Sequence, residues 1–289
     1  MTNDNDKFKA VNFKYWAYFI IIGVIGVALW QIVAGIYLLK WDVLNITLPW
    51  KYFVAECVRN RELPLWNPFI NHGFPQMGHY ETWNPITWLV GYYVGYSPYI
   101  IQLEYVVLIG FAGVGMYKLL RSLEFTNEAS LITAVIYILS GYFIAQAQHL
   151  GFVASGTWIT FVVRYYYLLS KDGTVLTSLK ISICLFLLLT GGYPGLLVVT
   201  GYLLGLSFVG HIIWISVKKG KAIIPWRWVW LNLFLVVALC LVSGVVLYCS
   251  LELSEYVTRG QKLALADTGW GFFTGSLTFR SLVSFLTPY

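Results

Sequence analysis

The chain has 289 residues, 58% hydrophobic, 18% aromatic and only 11% charged, with a formal net charge of +6. A soluble domain carries about 25% charged residues, so this much apolar surface exceeds what one aqueous core can bury and points to an integral membrane protein. The basic excess is scattered near the ends of apolar runs, which argues against a nucleic-acid partner and fits span orientation and contact with membrane lipid.

The N-terminal stretch MTNDNDKFKAVNFK is polar and is followed by a long apolar run with no small-residue cleavage site. It reads as a retained signal anchor. A first span is expected over about 15–39, enough to cross a hydrocarbon core of roughly 30 Å. Residues 40–98 then form a long outer loop with interfacial helices. From Pro49 the spacing places Trp50, Phe53, Val54, Cys57 and Val58 on one helical face, with Lys51, Glu56, Arg59 and Glu62 mainly elsewhere. Such a helix is amphipathic, too short to span, and expected in the membrane plane, either as a plain anchor or as part of a site. The run ITWLVGYYVGY (86–96) is apolar but also too short, and Ser97-Pro98 ends it. Further spans are expected at about 99–120, 129–146, 152–169, 179–190, 196–217 and 229–251.

The fold expected is therefore an all-α integral membrane protein: a bundle of about seven spans with in-plane amphipathic helices in its long first loop. It is read as one transmembrane domain over 1–289. The ending FLTPY suggests the N-terminal portion of a longer protein. Lys and Arg are more numerous in the connections that face the cytoplasm if the N-terminus is inside, which puts the 40–98 loop outside. The inner connections are short and carry no phosphate-binding motif. The four cysteines show no C-x-x-C spacing. A Cys57–Cys249 disulfide requires both to lie outside the cell, and nothing in the spacing demands it.

Ionisable groups in or beside a bilayer are costly, so each needs a reason. Asp42 directly follows the first span. It is either an interfacial carboxylate paired with Lys40 or a general base for a hydroxyl. The stretch RNRELPLWNPFINHGFPQMGHYETWNP (59–85) contains four prolines and two glycines, which disfavour regular structure. Its Trp66, Asn67, Asn71, His72, Gln76, His79, Glu81, Trp83 and Asn84 offer aromatic faces and hydrogen-bonding edges suited to a sugar ring. His72, His79 and Glu81 with Asp42 form a conceivable divalent-metal set, but their spacing fits no ligand signature, and no cofactor is expected. Gln148 and His149 end the third span, as a helix cap or as a ligand contact. Tyr193 sits in TGGYPG, a tight turn that permits close approach. Arg259 follows the seventh span, either paired with Glu255 or clamping a phosphate, with Lys51 as the second such cation.

The aspartate after the first span, the in-plane helix, LPLWNPFINHGFP, YETWNPITWL, QAQHLGF, GGYPGLL and SEYVTRG together resemble the YfhO-type bacterial membrane glycosyltransferases of the GT-C superfamily. The resemblance spans essentially the whole chain, with PLWNP its most specific block. It implies transfer of a sugar from a polyprenyl-phosphate donor to a cell-envelope glycan or lipid acceptor, at the outer face of the cytoplasmic membrane, with Asp42 as the base. Many members carry a paired acidic motif there, whereas Asp42 stands between Trp41 and Val43, leaving Glu81 or Glu104 as a second carboxylate. The alternatives are a membrane transporter or lipid flippase, expected to carry paired charges at mid-span, and a non-catalytic membrane scaffold.

Overall fold

A computed structural model describes the backbone of residues 4–70, 72–220 and 224–253, with side chains from residue 15 onward. The chain divides into two compact units at Val246, and the helical bundle that carries the candidate site belongs to the first. Eleven α-helices are present among the described residues: α1 (Asp4–Ala28), α2 (Trp30–Val33), α3 (Leu48–Arg59), α4 (Pro85–Tyr93), α5 (Pro98–Ser122), α6 (Asn127–Ile138), α7 (Gly141–Ala145), α8 (Leu150–Asp172), α9 (Val175–Gly191), α10 (Pro194–Lys219) and α11 (Trp226–Glu252).

Local chemistry sets the helix starts. Asn84 accepts from the backbone N–H of Ile86 at 2.8 Å and caps α4, with Pro85 in its first turn. Ser97 accepts from Ile100 N–H at 3.2 Å and caps α5, again just before a proline. Thr126 and Thr174 do the same for α6 and α9. These caps satisfy amides that the first turn leaves unpaired, and proline loses nothing there.

Among the described residues, four helical segments are long and apolar enough to cross a membrane: Pro98–Ser122, Asn127–Ala145, Pro194–Lys219 and Trp226–Glu252. Tyr15–Ala28 and Val175–Gly191 are apolar but shorter. Only 6% of the most apolar window of α10 is buried, and Val199, Tyr202, Leu206 and Val217 are all exposed. An apolar helix so exposed is at home in lipid rather than water. The chain is thus a helical membrane protein.

Two apolar runs differ from the continuous spans expected. The first stops at Ala28, resumes for one turn as α2, and ends where Gly35 adopts φ +70°. Beyond it, Leu39 N–H donates to Gln102 Oε1 (2.9 Å) and Tyr99 O–H donates to Val33 C=O (2.9 Å), so α5 side chains take over where helical bonds stop. The third run breaks at Leu139–Ser140, between α6 and α7.

α5 and α8 form the centre, flanked by α1, α6 and α7 on one side and by α9, α10 and α11 on the other. Ile21, Ile101, Tyr105, Ile109, Ile138 and Phe143 fill the first core cluster. Phe161, Tyr166, Ile181, Leu188 and Trp228 fill the second. Hydroxyls tie the helices: Thr157 Oγ1 donates to Leu108 C=O (3.0 Å), Ser178 Oγ to Leu231 C=O (3.0 Å) and Ser182 Oγ to Leu235 C=O (2.9 Å). Without a hydrophobic drive between helices in lipid, such bonds and close packing hold the bundle together.

Candidate functional site

Asp42 lies at the start of a π turn, Val43–Thr47, that runs into α3. Its carboxylate makes no capping bond. Trp41, just before it, has φ +62°, an unfavourable conformation for a bulky residue that its surroundings must hold in place. The carboxylate faces His149, with Asp42 Oδ2 3.1 Å from His149 Nδ1. Both side chains remain accessible, at 48% and 35%, so a ligand can reach them. The pair joins the segment before α3 to the turn before α8, and Lys40 is not the partner of Asp42.

From His149 a line of contacts runs inward. Its ring lies 5.9 Å from that of Phe152, which stacks on Tyr193 at 4.4 Å and 16°. Tyr193 is held by its own backbone, whose N–H donates to Ser155 Oγ (2.8 Å). Two residues earlier Gly191 lets the Asn84 amide approach closely; a Cβ there would make that amide shift. Burial first, then Glu81 and Tyr193, raise the Tyr80 pKa above its ordinary value. Gln148 is half-buried in the turn beside His149.

Glu81 adjoins a buried ion pair, Lys51 Nζ to Glu104 Oε1 at 2.5 Å, with both side chains under 10% exposed. Tyr96 O–H donates to the other Glu104 oxygen at 3.0 Å. Burial alone would lower the Lys51 pKa, but Glu104, Tyr96 and Glu81 outweigh it and the ammonium is held above its usual range. Glu81 is pushed up to about 7, by burial first and by Glu104, against the pull of Lys51. Lys51, expected away from the buried face of α3, sits on that face with Val54, Ala55 and Cys57. The partner on α5 is what makes this tolerable.

The 59–85 stretch is a structured loop. Asn67 and Phe74 exchange two backbone bonds of 2.8 Å, and the Trp66 ring lies against Gly73. Asn67 is buried; its Oδ1 accepts from Phe69 N–H and its Nδ2 donates to Gln76 Oε1. Gln76 and Thr82 bond to each other, while Trp83 and Trp88 donate to the carbonyls of Met77 and Thr82. Most amide groups expected to face a sugar therefore brace the loop. Trp66 and His72 remain exposed, the latter at φ +62°, and Asn71 lies outside the described residues. His79 meets Trp50 at 3.9 Å and stacks on Tyr80 at 4.7 Å. Its Nδ1 is buried without a hydrogen-bond partner among the described residues, and burial drops its pKa to about 4.

Among the described residues no group of three or more His, Cys, Asp or Glu is gathered as metal ligands, so Asp42, His72, His79 and Glu81 do not converge. The four cysteines are free thiols. Arg259, with the Glu255–Arg259 pairing, lies outside the described residues. Beside Tyr96 is a mainly apolar cleft of about 700 Å³ lined by Leu48, Pro49, Tyr52, Phe53, Phe69 and Ile70.

No protein-family profile, no curated protein and no solved structure matches this chain. The chemistry of the site is its own guide to what it can do. It offers an accessible carboxylate oriented by an imidazole, aromatic faces at Phe152 and Tyr193, a buried cation–carboxylate pair and an adjoining apolar cleft. Sequence reading missed Tyr96 and Phe152. An aromatic after a short apolar run, and one three residues beyond His149, look like ordinary interfacial residues until the tertiary contacts are seen.

Proposed function

We propose that the chain is a membrane glycosyltransferase of the GT-C type. It moves a sugar from a polyprenyl-phosphate donor to an envelope glycan or lipid acceptor, with Asp42 as general base. The observation that carries this reading is the 3.1 Å approach of His149 Nδ1 to Asp42 Oδ2 at an accessible position. A lone carboxylate gains a partner that fixes its orientation, as a general base requires.

Asp42 takes the proton of the acceptor hydroxyl. The freed oxygen attacks the anomeric carbon of the donor sugar. The bond from that carbon to the phosphate oxygen breaks, and polyprenyl phosphate departs with the bonding pair. Charge grows on the leaving phosphate, where a cation contributes most. Lys51 is engaged by Glu104, which leaves Arg259 the better candidate. Tyr193, Phe152 and Trp66 offer faces for sugar rings, with Gln148, His72 and Glu81 as polar contacts, while Asn67 is spent on the loop and His79 is buried against Trp50. The apolar cleft beside Tyr96 suits the first isoprene units. The finer placement belongs to the same reading: a bacterial cytoplasmic membrane, about seven spans, the N-terminus inside and the site outside.

The buried Lys51–Glu104 pair beside Glu81 favours a second reading, a transporter or flippase coupled to proton movement. Solute uptake or lipid translocation in proteoliposomes separates the two. A structure with a non-transferable polyprenyl-phosphate analogue tests the first directly. Phosphate density within reach of the Asp42 carboxylate supports it; phosphate bound away from Asp42 overturns it.

A further inference from the structure

At the other end of α5 is a second polar cleft, of about 480 Å³, walled by Tyr18, Lys118, Arg121, Ser122, Asn127 and Arg164. Glu104 and Arg121 are separated by roughly 25 Å along the axis of α5 at ~1.5 Å per residue, so the cleft is remote from the Asp42 mouth. Among the described residues its charge is one-sided. Three cationic side chains line it and, among the described residues, no carboxylate does. The acids nearby are otherwise placed: Glu124 pairs with Lys171 at 3.1 Å, and Glu128 is in the first turn of α6.

The donors converge. Arg164 Nε donates to Ser122 Oγ at 3.1 Å, and its guanidinium lies 5.0 Å from the Tyr165 ring centroid. This fixes the group and leaves both Nη atoms without a partner among the described residues. Arg121 Nη1 donates to Phe125 C=O, leaving Nη2. Asn127 accepts from Tyr117 O–H at 3.3 Å and keeps its amide N–H groups. The Tyr18 hydroxyl is buried with no hydrogen-bond partner among the described residues. A buried hydroxyl in that state costs free energy unless something fills the site. Lys118 Nζ lies 5.8 Å from the Tyr18 ring centroid and adds positive charge.

We infer that this cleft binds a phosphate group, held by a fork from Arg164 with Arg121, Asn127 and Tyr18 completing the cradle. Planar guanidinium forks and neutral donors are the chemistry that phosphate oxygens select. The cleft lies at the ends of helices that belong in lipid, so the group is carried either by a phospholipid headgroup or by a free phosphate compound.

The test uses the full chain in neutral detergent and native mass spectrometry, titrating phosphatidylglycerol or phosphatidylcholine, with inorganic phosphate as competitor. Wild type should retain one phosphatidylglycerol in preference to phosphatidylcholine, or bind inorganic phosphate. Arg164→Gln should weaken that binding about tenfold, the loss of one charged contact, and Arg164→Lys should restore part of it. Because Arg164 also braces Ser122, Arg121→Gln is the control variant, expected to weaken binding with an unchanged melting temperature. Phosphatidylglycerol retained against millimolar phosphate assigns the site to a lipid headgroup; displacement assigns it to a soluble phosphate. Wild type that binds neither, or Arg121→Gln that binds as wild type does, overturns the inference.

Discussion

Lys51 and Glu104 show how costly a single residue can be in this protein. Each is charged and buried, and each is tolerable only beside the other. Glu104→Leu or Lys51→Met alone should destabilise by about 3–5 kcal/mol, since the surviving charge stays buried without its partner. The double variant Lys51→Met/Glu104→Leu should recover most of that loss in thermal melts in detergent; a double variant as unstable as the sum of the singles contradicts the pairing. Glu81 makes a prediction in pH. Its folded pKa is raised to about 7, so its contribution to stability is complete below the unfolded value of about 4.3 and is lost as pH rises through 7. Glu81→Gln should therefore melt higher than wild type at about pH 8 and nearly with it at about pH 5. Equal melting at both values rules out a carboxylate strained by burial. His79, with its folded pKa pushed down to about 4 by burial, adds a slope of the opposite sign below its unfolded value of about 6.5, where only the unfolded imidazole takes up a proton; it is common to wild type and Glu81→Gln and cancels in their comparison.

The helices were largely legible in the sequence because their starts carry chemistry. α4 and α5 start within a residue or two of the expected 86 and 99, beside Asn84-Pro85 and Ser97-Pro98, whereas α9 begins at Val175, four residues before the expected 179, because Thr174 caps it ahead of the apolar run. The stop at Ala28 was not legible. Gly35 sits in a run that remains apolar to Leu39, and only Tyr99 and Gln102, brought from α5, show why the helix can end there. The loop shows the same limit. Its prolines argued correctly against regular structure, but not that Asn67, Gln76 and Thr82 would spend their polar groups on one another. Between elements, Ser178 and Ser182 are one turn apart on α9 and meet carbonyls one turn apart on α11. Ser178→Ala/Ser182→Ala should lower stability by roughly 0.6 kcal/mol per bond, with an upper range near ~1.7, read as a lower melting temperature. An unchanged melt argues that α9 and α11 are held by packing alone.

Across the molecule, composition announced the membrane and the structure supplies its physical form: apolar helices whose exposed faces need lipid. The candidate site was legible only as a set of separate residues. Asp42, His149 and Tyr193 each stood out by position, but the approach of Asp42 to His149 spans two distant segments and no local pattern encodes it. The same holds for Lys51 with Glu104. Polar chemistry gathers at both ends of the central helices, carboxylate and imidazole at one and arginines at the other.

The most direct test of the central claim is sugar transfer in proteoliposomes holding the full chain, a radiolabelled polyprenyl-phosphate hexose and an envelope lipid and glycan extract. Wild type should label the acceptor fraction. Asp42→Asn, at equal protein level and equal melting temperature, should lose that transfer by at least the ~100-fold that general-base catalysis supplies. Asp42→Asn that labels the acceptor as fast as wild type contradicts the role given to Asp42, as does a wild-type protein that labels nothing.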